Sequence, residues 1–320
     1  MANPTTPDQL GNPPPSDRQR LLVTGHKGFV GQHVLASASS FAGFEICVPE
    51  RDYDLLDAAG LGAVIDEMRP DAVLHLAGLT FVPDAVRDPE RAIQVNVIGT
   101  LRLLQALRQR GFRGPMVYVS SGDVYGVVTP EQLPITELAP VQPRNPYAVS
   151  KVSAELLCRQ WALTEAWPIC VARPFNHIGA GQGAQFVVAK IASQIARIKA
   201  GYLPPRLELG DIDVSRDFLD VRDVIAAYFA LLERGEAGEI YNICSGRERT
   251  IRELVQRMLA LADVDVELIV DKAALRPTEQ RRVVGSNKKI MQATRWAPSV
   301  DLDQTLRSIL LDWEERIKHE

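Results

Sequence analysis

Tyr147 and Lys151 stand four residues apart in the run Asn145-Pro146-Tyr147-Ala148-Val149-Ser150-Lys151. Asn is a strong N-cap and Pro is favoured at the first helical position, so the run predicts a helix start. Residues at that spacing share one helix face, which sets a phenol beside an ammonium. A phenol with an ordinary pKa of about 10 is a poor acid or base at neutral pH. A cation beside it favours the phenolate, and lowering the pKa by about two to three units corresponds to roughly 3–4 kcal/mol. The expected chemistry is proton transfer at an oxygen. A partner hydroxyl is offered by Val119-Ser120-Ser121-Gly122-Asp123-Val124-Tyr125-Gly126, which follows a predicted strand. A serine there can hydrogen-bond the oxygen that Tyr147 protonates, although a Ser/Asp-rich turn is also an ordinary way to leave a strand.

A second motif points to a bound phosphate. Gly25-His26-Lys27-Gly28-Phe29-Val30-Gly31 reads G-x-x-G-x-x-G between an apolar strand and an amphipathic segment. Glycines there permit a tight turn and let the backbone approach a pyrophosphate at the helix N-terminus. Gly25, Gly28, Phe29, Val30 and Gly31 are therefore candidate dinucleotide-binding residues, and NAD or NADP in its reduced form is the candidate hydride donor. An oxidised nicotinamide would add its positive charge to that of Lys151 beside the phenol. The second strand should end near Pro49, where an acidic residue binds a ribose 2′-hydroxyl and a basic one a 2′-phosphate. Glu50 stands beside Arg51, with Lys27 near, which leaves NADH against NADPH open. Asp54-Leu55 follows as a turn that could hold the adenine amino group. Asp54 or Asp57 could equally be an ordinary helix cap.

The elements that must position these groups alternate. Apolar runs at 21–23, 45–48, 72–76, 116–120 and 169–172 predict strands, and 89–110 and 147–164 are the clearest helical patterns. That alternation implies a parallel sheet covered by helices on both faces. After Arg173 the pattern loosens into loops around 179–183 and 202–205, with helices expected at 221–233, 250–262 and 302–318. The expected fold is α/β, a Rossmann-type doubly wound sheet over 19–173. Residues 174–320 would form mainly a smaller substrate-binding lobe interleaved with late strands and helices of the first. Residues 1–18, rich in Pro, Asn, Ser and Asp, read as a disordered tail.

The net charge of −4 argues against a nucleic-acid protein but not against a small anion held by local cations. Cys47, Cys158, Cys170 and Cys244 show no metal-ligand spacing and read as buried thiols. No signal peptide or membrane-spanning run is apparent, so a soluble cytoplasmic protein is expected.

Together these features resemble the extended short-chain dehydrogenase/reductase family, whose members mostly act on nucleotide sugars. The resemblance runs from Leu21 to about the C-terminus. It includes His75-Leu76-Ala77-Gly78, Asn96, Ser-Ser-x-x-Val-Tyr-Gly and the Tyr147/Lys151 pair. It implies that Ser121 is the catalytic serine beside Tyr147 and Lys151, and that Leu76, Ala77 and Gly78 line the cofactor. It implies that Thr80, Ser121, Asn176, Arg216, Arg276 and Glu279 face the substrate, the last four at the nucleoside diphosphate. It gives His177 no catalytic role.

Residues 172–181, 214–224 and 276–288 are most similar to members that reduce the C4 ketone of GDP-4-keto-6-deoxy-D-mannose to GDP-D-rhamnose. The rival readings are a 4,6-dehydratase and a 4-epimerase of nucleotide sugars. Resembling dehydratases place an acid, usually Glu, two residues before the Val-Tyr-Gly tyrosine, where this chain has Asp123. A non-enzymatic NAD(P)-sensing protein is the reading from another class, and it would have no reason to keep Ser121, Tyr147 and Lys151 together. Helices 89–110 and 147–164 carry apolar positions suited to a second subunit, and the family's equivalent helices form a four-helix bundle. A homodimer is expected.

Overall fold

A computed structural model describes residues 18–270 and 280–319. The expected tail, but for Arg18, and the substrate-side candidates Arg276 and Glu279 lie outside the described residues. The chain opens with β1 (Gln19–Thr24), α1 (Phe29–Ala36), β2 (Phe44–Cys47), α2 (Ala58–Met68) and β3 (Ala72–His75). It continues through α3 (Val82–Arg87), α4 (Pro89–Ile93), α5 (Gly99–Gln109), β4 (Met116–Val119), α6 (Pro146–Thr164) and β5 (Ile169–Pro174). These strands, joined by β9 (Ile240–Ile243), make one sheet in the order β2-β1-β3-β4-β5-β9. Every pairing in it is parallel.

Both faces of such a sheet are buried, and its strands read as runs of Leu, Val and Ile. One apolar cluster unites Leu21, Val23, Leu74 and Val117 with α8 (Val221–Arg234); the other unites Leu22, Val73 and Met116 with α2, α5 and α6. The strand order reverses between β1 and β3, and a ligand crevice opens at the C-terminal ends of strands at that switch point.

The segment expected as one helix over 89–110 is interrupted. A single wider turn, Gln94–Ile98, separates α4 from α5. It turns Asn96 inward, to 2% exposure. Asn96 Nδ2 donates to Leu79 O at 3.0 Å and to Ser150 Oγ at 2.8 Å, while its Oδ1 accepts from Leu79 N at 2.8 Å. The loop after β3 is thereby tied to α6. Such widened turns concentrate at functional sites.

The second lobe was largely hidden in the sequence. β6 (Asn176–Ile178), β8 (Ser215–Asp220) and β10 (Glu248–Thr250) form a three-stranded sheet, and β7 (Arg206–Leu209) pairs with β11 (Glu267–Val270). α7 (Val187–Lys199), α9 (Ile251–Ala262) and α11 (Leu302–Lys318) enclose a separate apolar core around Ile191, Leu254 and Trp313. α10 (Lys288–Thr294) returns to pack on α8 and β9. Asp217, fully buried on β8, pins the two halves of this lobe. It accepts from Ser245 N at 2.7 Å, Ser245 Oγ at 2.6 Å, Gly246 N at 3.0 Å and Gly285 N at 3.2 Å.

Replacing Asp217 by Ala strands those donors in the interior. Unfolding in urea should show a loss of about 3 kcal/mol, the penalty expected for several unpaired buried groups.

Candidate active site

Asn145 caps α6 by accepting from Ala148 N at 2.8 Å, with Pro146 in the first turn. Tyr147 and Lys151 are both buried on the same face of that helix. Lys151 Nζ lies 5.9 Å from the centroid of the Tyr147 ring and 5.3 Å from that of Tyr118, and it donates to Val119 O at 2.8 Å. Burial pushes the lysine down to about 8, with the Glu155 charge acting in the opposite sense. Ser121, at the N-cap of the short turn Gly122–Tyr125, lies close enough to the Tyr147 phenol to favour its ionised form. Its Oγ also accepts from Asp123 N at 3.1 Å. The three expected catalytic groups therefore converge at the ends of β4 and α6.

In the protein alone the Tyr147 phenol is raised above its ordinary value; the lowering expected of it includes the charge of an oxidised nicotinamide. Burial is the larger cause and the Asp123 carboxylate the next, while Ser121 opposes them. Lys151 donates to Val119 O and lies 5.9 Å from the ring centroid, where its charge favours the phenolate that proton transfer leaves. The phenol thus holds its proton at neutral pH, and its release has to be helped by a charge that stabilises the phenolate.

The glycine loop is tightly built. Gly25 has φ +72°, and a Cβ there would meet Ala77 N at 2.7 Å; one at Gly31 would meet Gly25 O at 2.5 Å. Gly28 N donates to Gly25 O at 3.0 Å, so the loop closes on itself before α1. α1 has neither a side-chain cap nor an acidic residue in its first turn, which leaves its N-terminal amides to an anion. Phe29 and Val30 pack against the core below the loop. The residues present thus fit a dinucleotide diphosphate.

Leu76, Ala77 and Gly78 run past the same crevice, and a Cβ on Gly78 would meet Asn96 Oδ1 at 2.8 Å and Lys151 Nζ at 3.5 Å. The turn is held from beneath by His75, which the sequence marks only as part of a motif. Thr100 Oγ1 donates to Asn96 O at 2.7 Å and therefore accepts from His75 Nε2 at 3.0 Å. His75 Nδ1 then accepts from Thr24 Oγ1 at 2.7 Å, and Thr24 Oγ1 accepts from Ala77 N at 3.2 Å. Burial lowers His75 to about 3, so it stays neutral, as this chain of bonds requires.

At the adenosine end, Arg51 is exposed and lies 3.9 Å from Glu67, a loose pair; Lys27 pairs with Asp52 across the loop mouth. Glu50 is exposed beside them. Asp54 closes the turn by accepting from Leu56 N at 2.9 Å, and the helix cap falls to Asp57, which accepts from Ala59 N at 3.1 Å. The Leu55 side chain is 6% exposed and buried against Gly99, so only its backbone faces the crevice side.

On the second lobe, Asn176 is exposed on β6, and Arg216 lies on the paired strand β8. Arg216 donates to Ser215 O at 2.8 Å and its charge is felt at Asp123. Asp123 is reached by water from the cleft yet walled by protein, and burial raises its carboxyl against the pull of Arg216. Thr80 is exposed just beyond the loop of Gly78. Next to it Phe81 meets Phe186 of the second lobe edge to face, with ring centroids 6.0 Å apart. His177 stacks on Phe29 at 6.1 Å and its Nδ1 donates to Phe175 O at 3.2 Å, a packing role.

Residues 50–309 match the model of a family described as GDP-mannose 4,6 dehydratase. The chain belongs to that family, within the extended short-chain dehydrogenase/reductases. Among its relatives, the GDP-6-deoxy-D-mannose reductase of Pseudomonas aeruginosa is 55% identical over 304 residues, covering 94% of this chain and 99% of that one. The solved structure of RMD from Pseudomonas aeruginosa complexed with NADPH superposes with a TM-score of 0.90 at 54% identity, covering 93% of this chain and 99% of that one. The UDP-glucose 4-epimerase of Thermotoga maritima, solved with UDP-glucose, gives a TM-score of 0.82 at 26% identity, covering 94% and 99%. Among the described residues no helix is long and apolar enough to cross a membrane.

Gly25→Ala should cost the family member its cofactor site: the added methyl strikes Ala77 N and the backbone sits at positive φ. Titration of NADPH fluorescence should show affinity weakened at least about tenfold, with the far-UV spectrum kept.

Proposed function

We infer that this chain is an NADPH-dependent reductase that converts GDP-4-keto-6-deoxy-D-mannose to GDP-D-rhamnose. The observation that carries this reading is near full-length identity of 55% to a GDP-6-deoxy-D-mannose reductase, joined to a Ser121–Tyr147–Lys151 group beside an intact glycine loop. The first-turn amides of α1 would hold the cofactor diphosphate, and Lys151 the ribose next to the nicotinamide. Reduced nicotinamide, when bound, supplies hydride.

The chain's own residues supply the rest. Ser121 orients the C4 carbonyl oxygen and Tyr147 gives it a proton as negative charge develops there. General acid catalysis of this kind contributes about 10²–10⁴ in rate. The buried phenol carries the proton at neutral pH. Lys151, directly below, stabilises the phenolate left behind. Asn176 and Arg216 face the nucleoside diphosphate, where a guanidinium offers charge-assisted bonds. Asp123, one methylene shorter than the usual dehydratase glutamate, is poorly placed to remove a C5 proton and expel the C6 hydroxyl. Reduction without elimination follows.

A homodimer fits the surface of the helices. Val149, Leu156 and Leu163 recur every seven residues along α6 and are 42%, 58% and 77% exposed. Val86, Ile93 and Ile98 are also exposed along the preceding helical segment. An apolar stripe at this spacing is the seam of a helix bundle. GDP-linked sugar and a second copy of the chain are thus the proposed partners, and a cytoplasmic location agrees with a nucleotide-sugar substrate.

Three outcomes are expected. Tyr147→Phe should lower kcat on GDP-4-keto-6-deoxy-D-mannose by about 10²–10⁴ in an assay of NADPH absorbance, with thermal stability retained. Arg51→Ala should raise the KM for NADPH about tenfold while leaving that for NADH in place, since a 2′-phosphate gains most from a guanidinium. Leu156→Glu with Leu163→Glu should convert a dimer to a monomer in sedimentation velocity; an unchanged dimer would place the interface elsewhere.

A further inference from the structure

Directly behind Lys151 lies a buried ion pair that the mechanism above does not use. Glu155 follows Lys151 by one helical turn on α6 and is 3% exposed; Arg173, on β5, is also 3% exposed. The guanidinium grips the carboxylate at both oxygens, Nε to Oε1 at 2.9 Å and Nη2 to Oε2 at 2.6 Å. It also stacks on Tyr125, with Cζ 4.8 Å from the ring centroid. Tyr125 in turn donates to Asn242 Oδ1 at 2.6 Å, on β9. Tyr125 closes the same short turn that Ser121 opens, so one continuous set of contacts runs from the Lys151 helix to the Ser121 turn.

Stability alone gives little reason for such a pair, because well-packed apolar residues commonly serve as well in an interior. Lys151 gives a stronger reason. An ammonium buried there with only one carbonyl partner pays a large desolvation cost and tends to shed its proton. The titratable and charged groups that face it are Tyr147, Glu155 and Cys158 from α6, Tyr118 from β4 and His75 from β3. The tyrosines and Cys158 are raised by burial and stay neutral, and His75 is neutral too. Among the described residues, Glu155 is the one full negative charge in that shell, and it is paired with Arg173. Its oxygens are already taken by Arg173, so it acts on Lys151 through space and cannot swing away.

We propose that Glu155, anchored by Arg173, is a positioning residue that serves as the fixed counter-charge of Lys151. The proposal rests on the reading of Lys151 as the lysine of the reductase site. Loss of the counter-charge lets Lys151 deprotonate at lower pH, so cofactor binding and turnover both fail earlier on the alkaline side.

The test compares the wild type with Glu155→Gln/Arg173→Met, which removes both charges together and leaves no lone buried ion. NADPH affinity is read by fluorescence from pH 6 to 9, and turnover of GDP-4-keto-6-deoxy-D-mannose over the same range. The expected result is an alkaline limb moved about one unit toward neutrality in both profiles. Affinity at pH 8 should fall about fivefold or more, while at pH 6 it stays within about twofold of the wild type. Superimposable limbs, or an equal loss at every pH, overturn the proposal and leave the pair a purely structural one. Should that variant not fold, Glu155→Gln/Arg173→Gln is also neutral, keeps hydrogen bonding and is judged by the same limbs. A shifted NADPH limb in a protein whose wild type does not reduce the keto sugar would refute the reductase reading and leave the counter-charge standing.

Discussion

The ammonium of Lys151 is held at 3% exposure between α6 and β4, and a bare cation in that place would be costly. Much of the site can be understood as what this burial demands. Val119 turns its carbonyl toward Nζ at 2.8 Å, Gly78 leaves room above it, and His75, Tyr118, Tyr147 and Cys158 around it are held neutral. The reward is a positive charge in a low-dielectric pocket next to a phenol. There it acts on the phenolate far more strongly than it would in water. The same burial keeps the proton on Tyr147 until charge develops on an oxygen opposite it.

Around that centre the fold divides its tasks. The parallel sheet fixes the ends of β1, β3 and β4, and with them the glycine loop, the Gly78 loop and the Ser121 turn. Uncharged hydrogen bonds do the fine placement: Asn96 ties the Gly78 loop to α6, and neutral His75 ties Thr24 to Thr100 beneath it. The second lobe carries Asn176 and Arg216 on paired strands, with buried Asp217 fixing the strand that carries Arg216. The charge of Asp123 is felt at Tyr147, and that of Arg216 at Asp123, so the carboxylate links the two lobes electrostatically.

Chemistry was more legible in the sequence than geometry. The five strands at 21–23 through 169–172 and the helix of Tyr147 stand out because long periodic patterns and an Asn-Pro start are local signals. β9, a four-residue strand, carries no such mark, and its place beside β5 is decided by tertiary packing. The short strands of the second lobe were missed for the same reason. The widened turn at Gln94–Ile98 is invisible to a periodicity count, since one extra residue per turn does not change which positions are apolar. Burial and the Asp123 carboxylate, which raise the Tyr147 phenol, act from elsewhere in the fold and leave no mark beside the Tyr147/Lys151 pair in the sequence. Glu155 and Arg173 gave no signal at all: charged residues in a sequence read as surface, and only packing reveals them as buried partners.

The most direct test of the central claim is to follow where the hydride goes. The protein would be given GDP-4-keto-6-deoxy-D-mannose with NADPH carrying deuterium at the transferred C4 position, and the product analysed by NMR. The account predicts deuterium at C4 of a GDP-6-deoxyhexose with the D-rhamno configuration, formed in step with NADPH oxidation. A product without label at C4, or no product from the keto sugar while GDP-mannose is dehydrated, would contradict it.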